Sequence, residues 1–246
     1  MKILVCISHV PDTTTKISFT ADNKSTCHIR HIIHYQSLRR NSYLLALEPT
    51  EKSGGTVTVI NVGDASTGCH LTRKALAIGA TDAVRIDANP ANAAFVATQI
   101  ADYASKNSFD LILTGRESID YNGSQVAAMV GELLNIPSVS IVKSLEVADK
   151  TVTLEREIEG GKEVISCPTP LVASATEGMA EPRIPNMRGI MSARTKPLQV
   201  VAAIATETYQ QLAGYDKPAP RTQVKLIDAS NVKALVDALH TEAKVI

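Results

Sequence analysis

The chain has 246 residues, and its 25 lysine and arginine side chains balance 25 aspartate and glutamate side chains. This neutrality disfavours a free-standing nucleic-acid-binding protein, which usually carries a basic surface. Hydrophobic residues make up 44% of the chain and charged residues 20%, a balance that excludes wholesale disorder.

The hydrophobic pattern and the cysteines indicate the compartment. No apolar run reaches the roughly 18 residues that a membrane span needs, and the short apolar start at residues 1–7 lacks the features of a signal peptide. The four cysteines are widely spaced without a C-x-x-C pair, so neither a disulfide framework nor a zinc site is predicted. We therefore expect a cytoplasmic protein with no stable membrane insertion and no nucleic-acid partner.

Apolar, β-rich runs alternate with helical patterns through the first 150 residues. The alternation predicts an α/β fold with a doubly wound, mostly parallel sheet of the Rossmann-like, adenine-nucleotide-binding type. The predicted strands are 2–8, 56–62, 83–86, 110–114 and 138–147, and the predicted helices are 72–80, 92–106 and 123–135.

The pattern changes after residue 150. Residues 151–156 and 164–167 flank a Glu-Gly-Gly-Lys turn and predict an added β-hairpin, and residues 171–175 predict another strand. A stretch rich in proline and arginine, residues 177–197, then leads to a polar linker. We predict a nucleotide-binding α/β domain at 1–197 and a C-terminal linker with a helical arm at 198–246.

The last helix has an apolar stripe that must be covered. Val232, Leu235, Val236 and Leu239 share one face, with Asp228 or Ser230 as the predicted N-cap. The stripe either folds back onto its own domain or docks on a partner chain.

The strongest candidate for chemistry is the loop after the fourth strand, Gly115–Val126. It joins a buried strand to a helix, and it supplies glycines, hydroxyl and amide side chains, and a helix N-terminus that favours anions. Two interpretations stay open, a phosphate cradle and a plain strand–helix connection. The loop is not a Walker A motif, and no G-x-G-x-x-G follows the first strand.

Other chemistries have weaker support. No G-x-S-x-G nucleophile elbow is present. His28, His31 and His34 are spaced three apart, which could place them on one helix face, but no nearby carboxylate completes a metal site. The arginines of the 177–197 stretch either face solvent or meet a phosphate or an acidic partner; they are Arg183, Arg188 and Arg194.

Four segments together resemble the β-subunit of electron transfer flavoproteins, in order and in spacing over most of the chain. They are 2–16 (KILVCISHVPDTTTK), 73–82 (RKALAIGATD), 110–120 (DLILTGRESID) and 181–191 (EPRIPNMRGIM). The resemblance implies a heterodimer whose FAD sits mainly on the α-subunit. It also implies a second nucleotide in the β-subunit, AMP in ordinary members and a second FAD in electron-bifurcating ones.

The resemblance also assigns site residues. It implies that the loop after the fourth strand holds the nucleotide phosphate, and that Cys6 and Val62 line the adenosine, largely through backbone. Thr13 falls near the flavin of the α-subunit. Residues 175–191 match the loop that meets dehydrogenases, and the C-terminal arm wraps the α-subunit. The implied phosphate-loop residues are Gly115, Asp120, Tyr121, Asn122, Gly123, Ser124, Gln125 and Val126.

Two departures from the family pattern matter. Ordinary members carry D-D-x-N-Q-T-G in the phosphate loop, whereas Gln125-Val126 here is closer to the bifurcating type. Residues 27–47 stand where the family has an N-P-[YF]-D-E motif. Read one base out of frame, degenerate codons for residues 34–43 (HYQSLRRNSY) can encode I-I-N-P-Y-D-E-I-A. Compensating frame errors are our hypothesis for this stretch, and resequencing the gene tests it.

The resemblance therefore implies an electron carrier subunit without a catalytic acid or base of its own. It would bind AMP, cover the α-subunit FAD, and shuttle electrons between dehydrogenases and a downstream acceptor. One alternative is a bifurcating assembly with a second FAD in this subunit. Another, from a different class, is a stand-alone ATP-binding stress-type protein.

Overall fold

A computed structural model describes residues 1–11, 16–24, 33–34, 54–176, 179, 184–220 and 224–246, and within these it leaves the side chains of 33–34 and 66–71 undescribed. The strands are β1 (Lys2–Ile7), β2 (Val10–Pro11), β3 (Ile33–His34), β4 (Thr56–Val62), β5 (Asp82–Asp87), β6 (Leu111–Gly115), β7 (Ser138–Ala148), β8 (Thr151–Ile158), β9 (Gly161–Pro168), β10 (Leu171–Ala175) and β11 (Leu198–Ala202). The helices are α1 (Ala65–Ile78), α2 (Ala93–Asn107), α3 (Val126–Leu134), α4 (Met187–Ala193) and α5 (Val232–Ala238).

Within the described ranges, nine strands form one mixed sheet in the order β11-β5-β4-β1-β6-β10-β7-β8-β9. Every pairing from β11 to β7 is parallel, while the two pairings of the β7–β8–β9 hairpin region are antiparallel. The short strands β2 and β3 pair separately. The predicted α/β class, the mostly parallel sheet and the added hairpin are therefore confirmed.

Helices cover both faces of the parallel region. Side chains alternate along β1, so Ile3 shares a buried cluster with Leu76 of α1 on one face. Leu4 belongs to the cluster on the other face, together with Ile100 of α2 and Val130 of α3. Because both faces are buried, the central strands are rich in Val, Ile and Leu, and polar residues within them, such as Thr58 and Thr114, are buried as well.

Two helix starts differ from the prediction. Helix α1 begins at Ala65, seven residues before the predicted start, because a Ser-Thr-Gly run of low helix propensity hid its first turn. Helix α3 begins at Val126, three residues after the predicted start. Left-handed φ angles of 48° at Asn122 and 50° at Ser124 keep the chain out of the helix there.

The 177–197 stretch and the segment after it contain two elements that the sequence did not predict. Helix α4 begins after Asn186, whose side chain accepts a 2.8 Å hydrogen bond from the amide of Gly189. Strand β11 pairs in parallel with β5 at the edge of the sheet. The sheet thus continues past residue 197, where we predicted the linker to begin.

The C-terminal helix α5 is the least covered element. Asn231 caps it by accepting a 3.1 Å hydrogen bond from the amide of Ala234. The predicted cap at Asp228 or Ser230 was wrong, because Asp228 accepts hydrogen bonds from the amide and hydroxyl of Ser230 instead. The helix continues into a π-helical turn at Leu239–Ala243, and neither piece contains a buried residue.

Some predictions fall outside the described residues. The frame-error hypothesis concerns residues 27–47, and only the backbone of residues 33–34 is described there. Thr13 and Arg183 also lie outside, as do His28, His31 and the side chain of His34. Across the described ranges, no helix combines the length and apolar character needed to cross a membrane.

Candidate functional site

The sheet changes direction between β1 and β6. From β1 the chain moves outward to β4 and β5, and it then returns to place β6 on the other side of β1. The point where the strand order reverses, at the carboxyl ends of the strands, is the usual place of ligands in open α/β sheets. We therefore take the edge between β1 and β6 as the candidate site and call it the crevice. Ser8 after β1 and Ser118 after β6 connect the two segments there, with hydroxyl oxygens 3.4 Å apart.

The β6–α3 loop, residues 116–125, forms one wall of this crevice. The carbonyl oxygen of Ser118 accepts hydrogen bonds from the amides of Tyr121 at 3.2 Å and Asn122 at 2.6 Å, which tightens the first half of the loop. A Cβ atom added at Gly123 would meet no atom within 4 Å. The second half of the loop thus offers bare backbone with open space beside it.

The N-terminus of α3 lies at the end of this loop. Gln125 occupies the N-cap position without a side-chain hydrogen bond to the helix, and Val126 begins the first turn. Amides of the first turn have no acceptor within a helix, and they carry its positive dipole end. The arrangement can therefore bind an anion such as a phosphate. Close packing fixes the helix, since a Cβ at Gly131 would lie 2.7 Å from the Cβ of Ser138 on β7.

Two carboxylates sit in the first half of the loop. Glu117 pairs with the neighbouring Arg116 and accepts a 3.4 Å hydrogen bond from the Ser124 hydroxyl. Asp120 accepts hydrogen bonds from the Ser118 hydroxyl and, at 3.1 Å, from the Tyr121 amide. Carboxylates repel phosphate but accept hydrogen bonds from sugar hydroxyls. The two ends of the loop therefore differ: its first half offers hydrogen-bond acceptors, and its end offers the amide donors of the first turn of α3.

The structure brings the predicted phosphate-loop residues together around one turn, from Gly115 at the end of β6 to Val126 at the start of α3. Cys6 and Val62 lie on the neighbouring strands β1 and β4, and both side chains are buried in the cluster shared with α2 and α3. Only their backbone, near the strand ends, could meet a ligand in the crevice.

Sequence reasoning missed a buried amide beside the crevice. Asn61, 1% exposed near the end of β4, donates a 3.0 Å hydrogen bond from Nδ2 to the carbonyl of Ile7 on β1. Its Oδ1 is buried without a partner among the described atoms, and it would lie 2.7 Å from a Cβ at Gly63. The signal was a single amide side chain inside the β-rich run TVTVINV.

An aromatic contact borders the loop on its exposed side. The hydroxyl oxygens of Tyr121 and Tyr215 lie 3.1 Å apart, and the ring of Tyr215 stacks on Phe19. The hydrogen bond with Tyr215, assisted by partial burial, raises the pKa of Tyr121 to about 12. The sequence placed Tyr215 only in a linker, because nothing local to it indicated this contact.

Comparison with known proteins decides the family. Residues 44–206, more than half of the chain, match the family described as electron transfer flavoprotein domain. The chain is also 34% identical over 215 residues to the electron transfer flavoprotein subunit beta of Bacillus subtilis (strain 168), an alignment that covers 82% of this chain and 83% of that protein. This chain belongs to the electron transfer flavoprotein family.

Two further relatives carry the subunit beta name. The protein of Syntrophomonas wolfei is 30% identical over 237 residues, covering 95% of this chain and 93% of its own. That of Thermoanaerobacterium thermosaccharolyticum is 34% identical over 201 residues, covering 80% and 76%. The resemblance read from the sequence motifs is confirmed, and the chain is an electron transfer flavoprotein of the β-subunit type. The family match contains the whole β6–α3 loop.

Proposed function

We propose that this electron transfer flavoprotein chain binds AMP in the crevice between β1 and β6 and pairs with an α-subunit whose FAD it covers. The heterodimer carries electrons from dehydrogenases to a downstream acceptor. The observation that carries the proposal is the N-terminus of α3, which follows the β6–α3 loop beside the point where the strand order reverses.

The residues present fit a nucleotide monophosphate. The phosphate would take the first-turn amides of α3 and the bare backbone at Gly123. The ribose hydroxyls would donate to the carboxylates of Glu117 or Asp120, and the adenine would lie against backbone near the ends of β1 and β4. AMP supplies no redox chemistry, so in this proposal the chain contributes binding and shape and no catalytic acid or base.

Flavin chemistry would enter through the α-subunit, because a bound FAD accepts and releases electrons through its ring system. This chain would exclude water from one side of that ring and set its distance from a partner. Thr13, which follows β2 in the sequence, is a residue that we assign to the vicinity of the flavin.

Two exposed apolar surfaces suit the partners. Helix α5 exposes Val232, Leu235 and Val236, and we assign this face to the α-subunit. The 175–191 loop exposes Ile184 and Met187, whose side chains are 82% and 77% accessible, and we assign it to dehydrogenases. Groups of exposed apolar side chains on one surface mark interaction sites, whereas single exposed apolar residues are common on any protein.

A second candidate function rests on one observation. Val126 begins α3 and has no hydroxyl to offer a phosphate, and Gln125 precedes it without capping the helix. This pair is closer to the bifurcating type, in which a second FAD replaces AMP in the same crevice.

The test is cofactor stoichiometry. The chain is co-expressed with a candidate α-subunit, the purified complex is denatured, and FAD and AMP are quantified by chromatography. One FAD and one AMP per heterodimer are expected. Two FAD with little AMP would select bifurcation, whereas a homodimer that binds ATP without an α-subunit would select the stress-type alternative.

A further inference from the structure

The segment that follows β11, residues 203–217, passes along α2 and reaches the β6–α3 loop; we call it the strap. The buried side chain of Gln99 on α2 holds its start, exchanging two 2.9 Å hydrogen bonds with the backbone of Ile204. Further along, the side chain of Asn92 donates a 3.3 Å hydrogen bond to the carbonyl of Gln210. The strap is thus attached along α2 before it reaches the crevice.

Tyr215 joins the strap to two other segments. Its amide donates a 2.8 Å hydrogen bond to the carbonyl of Asn23, and its ring stacks on Phe19 with centroids 5.0 Å apart and planes within 2°. Its hydroxyl meets that of Tyr121 at 3.1 Å. Phe19 and Asn23 belong to the segment after β2, and Tyr121 belongs to the β6–α3 loop. A single side chain therefore ties together the strap and two segments beside the crevice.

Tyr121 lies where the loop changes direction. Its backbone amide is held by Ser118 and Asp120, and the next residue, Asn122, is left-handed. Its side chain is 60% exposed, and within the described part of the chain its hydroxyl bonds to Tyr215. This contact therefore restrains the ring immediately before the loop turns toward Gly123 and the N-terminus of α3.

We propose that Tyr215 is a positioning residue for nucleotide binding: through the Tyr121 hydroxyl it holds the β6–α3 loop in its binding conformation. Release of the strap then lowers nucleotide affinity, and a bound nucleotide favours the attached strap, because the two equilibria are linked. The inference rests on the proposed function of the crevice, and it adds a residue from the opposite end of the chain.

The test is a double-mutant cycle on the heterodimer, with 5′-AMP as the probe after removal of bound nucleotide. Tyr215→Phe keeps the stacking on Phe19 and removes only the hydroxyl, and Tyr121→Phe removes the other partner. Each should raise the AMP Kd about 3- to 10-fold, the size expected for one hydrogen bond. The double variant should be no weaker than either single variant, because both remove the same contact.

Tyr209→Phe is the matched control, since Tyr209 lies on the same strap and its hydroxyl bonds to Glu207, away from the loop. Hydrogen exchange of residues 116–125 should rise in Tyr215→Phe but not in Tyr209→Phe. Wild-type AMP affinity in Tyr215→Phe, or additive losses in the double variant, would overturn the inference and leave the proposed function standing. A wild-type heterodimer that binds neither AMP nor FAD in the crevice would overturn the proposed function itself.

Discussion

The ring of Tyr121 is largely exposed, yet the pKa of its hydroxyl is raised. Its pKa is raised from 10.0 to about 12, chiefly by the hydrogen bond with Tyr215. A group whose pKa is higher in the folded state stabilises the fold fully below its unfolded pKa, and the contribution disappears as pH rises through the folded value. The contribution of Tyr121 is therefore constant below pH 10 and is lost between pH 10 and about 12.

This gives a pH-dependent prediction. Wild type should melt at a higher temperature than Tyr121→Phe at pH 9, and the difference should shrink as pH approaches 12. Thermal melts of both proteins in matched buffers measure it. A difference that stays constant over the whole range would mean that ionisation of Tyr121 is not coupled to folding.

A substitution at Gly123 should change nucleotide affinity without changing the stability of the fold. An added Cβ meets nothing within 4 Å, and its φ lies outside the left-handed range, so Gly123→Ala should leave the melting temperature unchanged. The methyl group would occupy space that we assign to phosphate oxygens, so the AMP Kd of the heterodimer should rise, by about tenfold if one backbone contact is lost.

Gly161→Ala is the control for this prediction, because the β8–β9 turn has equal space at that position and lies far from the crevice along the sheet. Equal AMP affinity in Gly123→Ala and wild type would place the phosphate elsewhere.

At the scale of elements, Gly189 allows α4 to lie closer to the backbone of α1 than a residue with a Cβ atom could. A Cβ at Gly189 would lie 2.2 Å from the carbonyl oxygen of Ala77, which is backbone and cannot rotate away. Arg73 and Lys196 reinforce the contact, each donating to two backbone carbonyls of the other's segment. Helix α4, which overlaps the end of the 175–191 loop that we assign to dehydrogenases, is therefore held against the body of the protein.

Gly189→Ala should accordingly destabilise the fold by about 1–3 kcal/mol, the usual cost of overpacking. Urea unfolding of the variant beside Gly161→Ala, which has open space around it, measures the difference. Equal midpoints for the two variants would show that α4 moves aside and contributes little to stability.

The sequence predicted the elements that are specified by their own residues, and it missed those that depend on partners distant in the chain. Strands β4 and β10 match their predicted bounds, since an apolar β-rich run between turn residues specifies a buried strand by itself. Strand β11 was missed because its five residues, none of them buried, become a strand only by pairing with β5. The β6–α3 loop was found from its glycines and the helix after it, whereas Asn61 and Tyr215 act through partners distant in the sequence.

At the scale of the whole molecule, α5 is an amphipathic helix with no buried residue. Such a helix gains little from packing in the isolated chain, and it needs a surface that covers its apolar face. In the proposed heterodimer that surface belongs to the α-subunit.

Leu235→Glu should therefore leave the melting temperature of the isolated chain unchanged and weaken heterodimer formation by tenfold or more, roughly the loss expected for a truncated interface anchor. Val164→Glu is the control, because Val164 on β9 is 67% exposed and belongs to no assigned interface. Sedimentation or size-exclusion titration with the α-subunit gives the affinities. A heterodimer of unchanged affinity would exclude this face of α5 from the subunit contact.

The position of β10 has a consequence for the growing polypeptide. It fills the gap between β6 and β7, although it follows both of them and the whole hairpin in the sequence. At roughly 5–20 residues per second of synthesis, β10 leaves the ribosome several seconds after β6. During that interval β10 is missing, so one edge of β6 and one edge of β7 have no strand to pair with. The nascent chain must wait with two unpaired strand edges exposed, which makes this interval the point at which chaperones would be most needed.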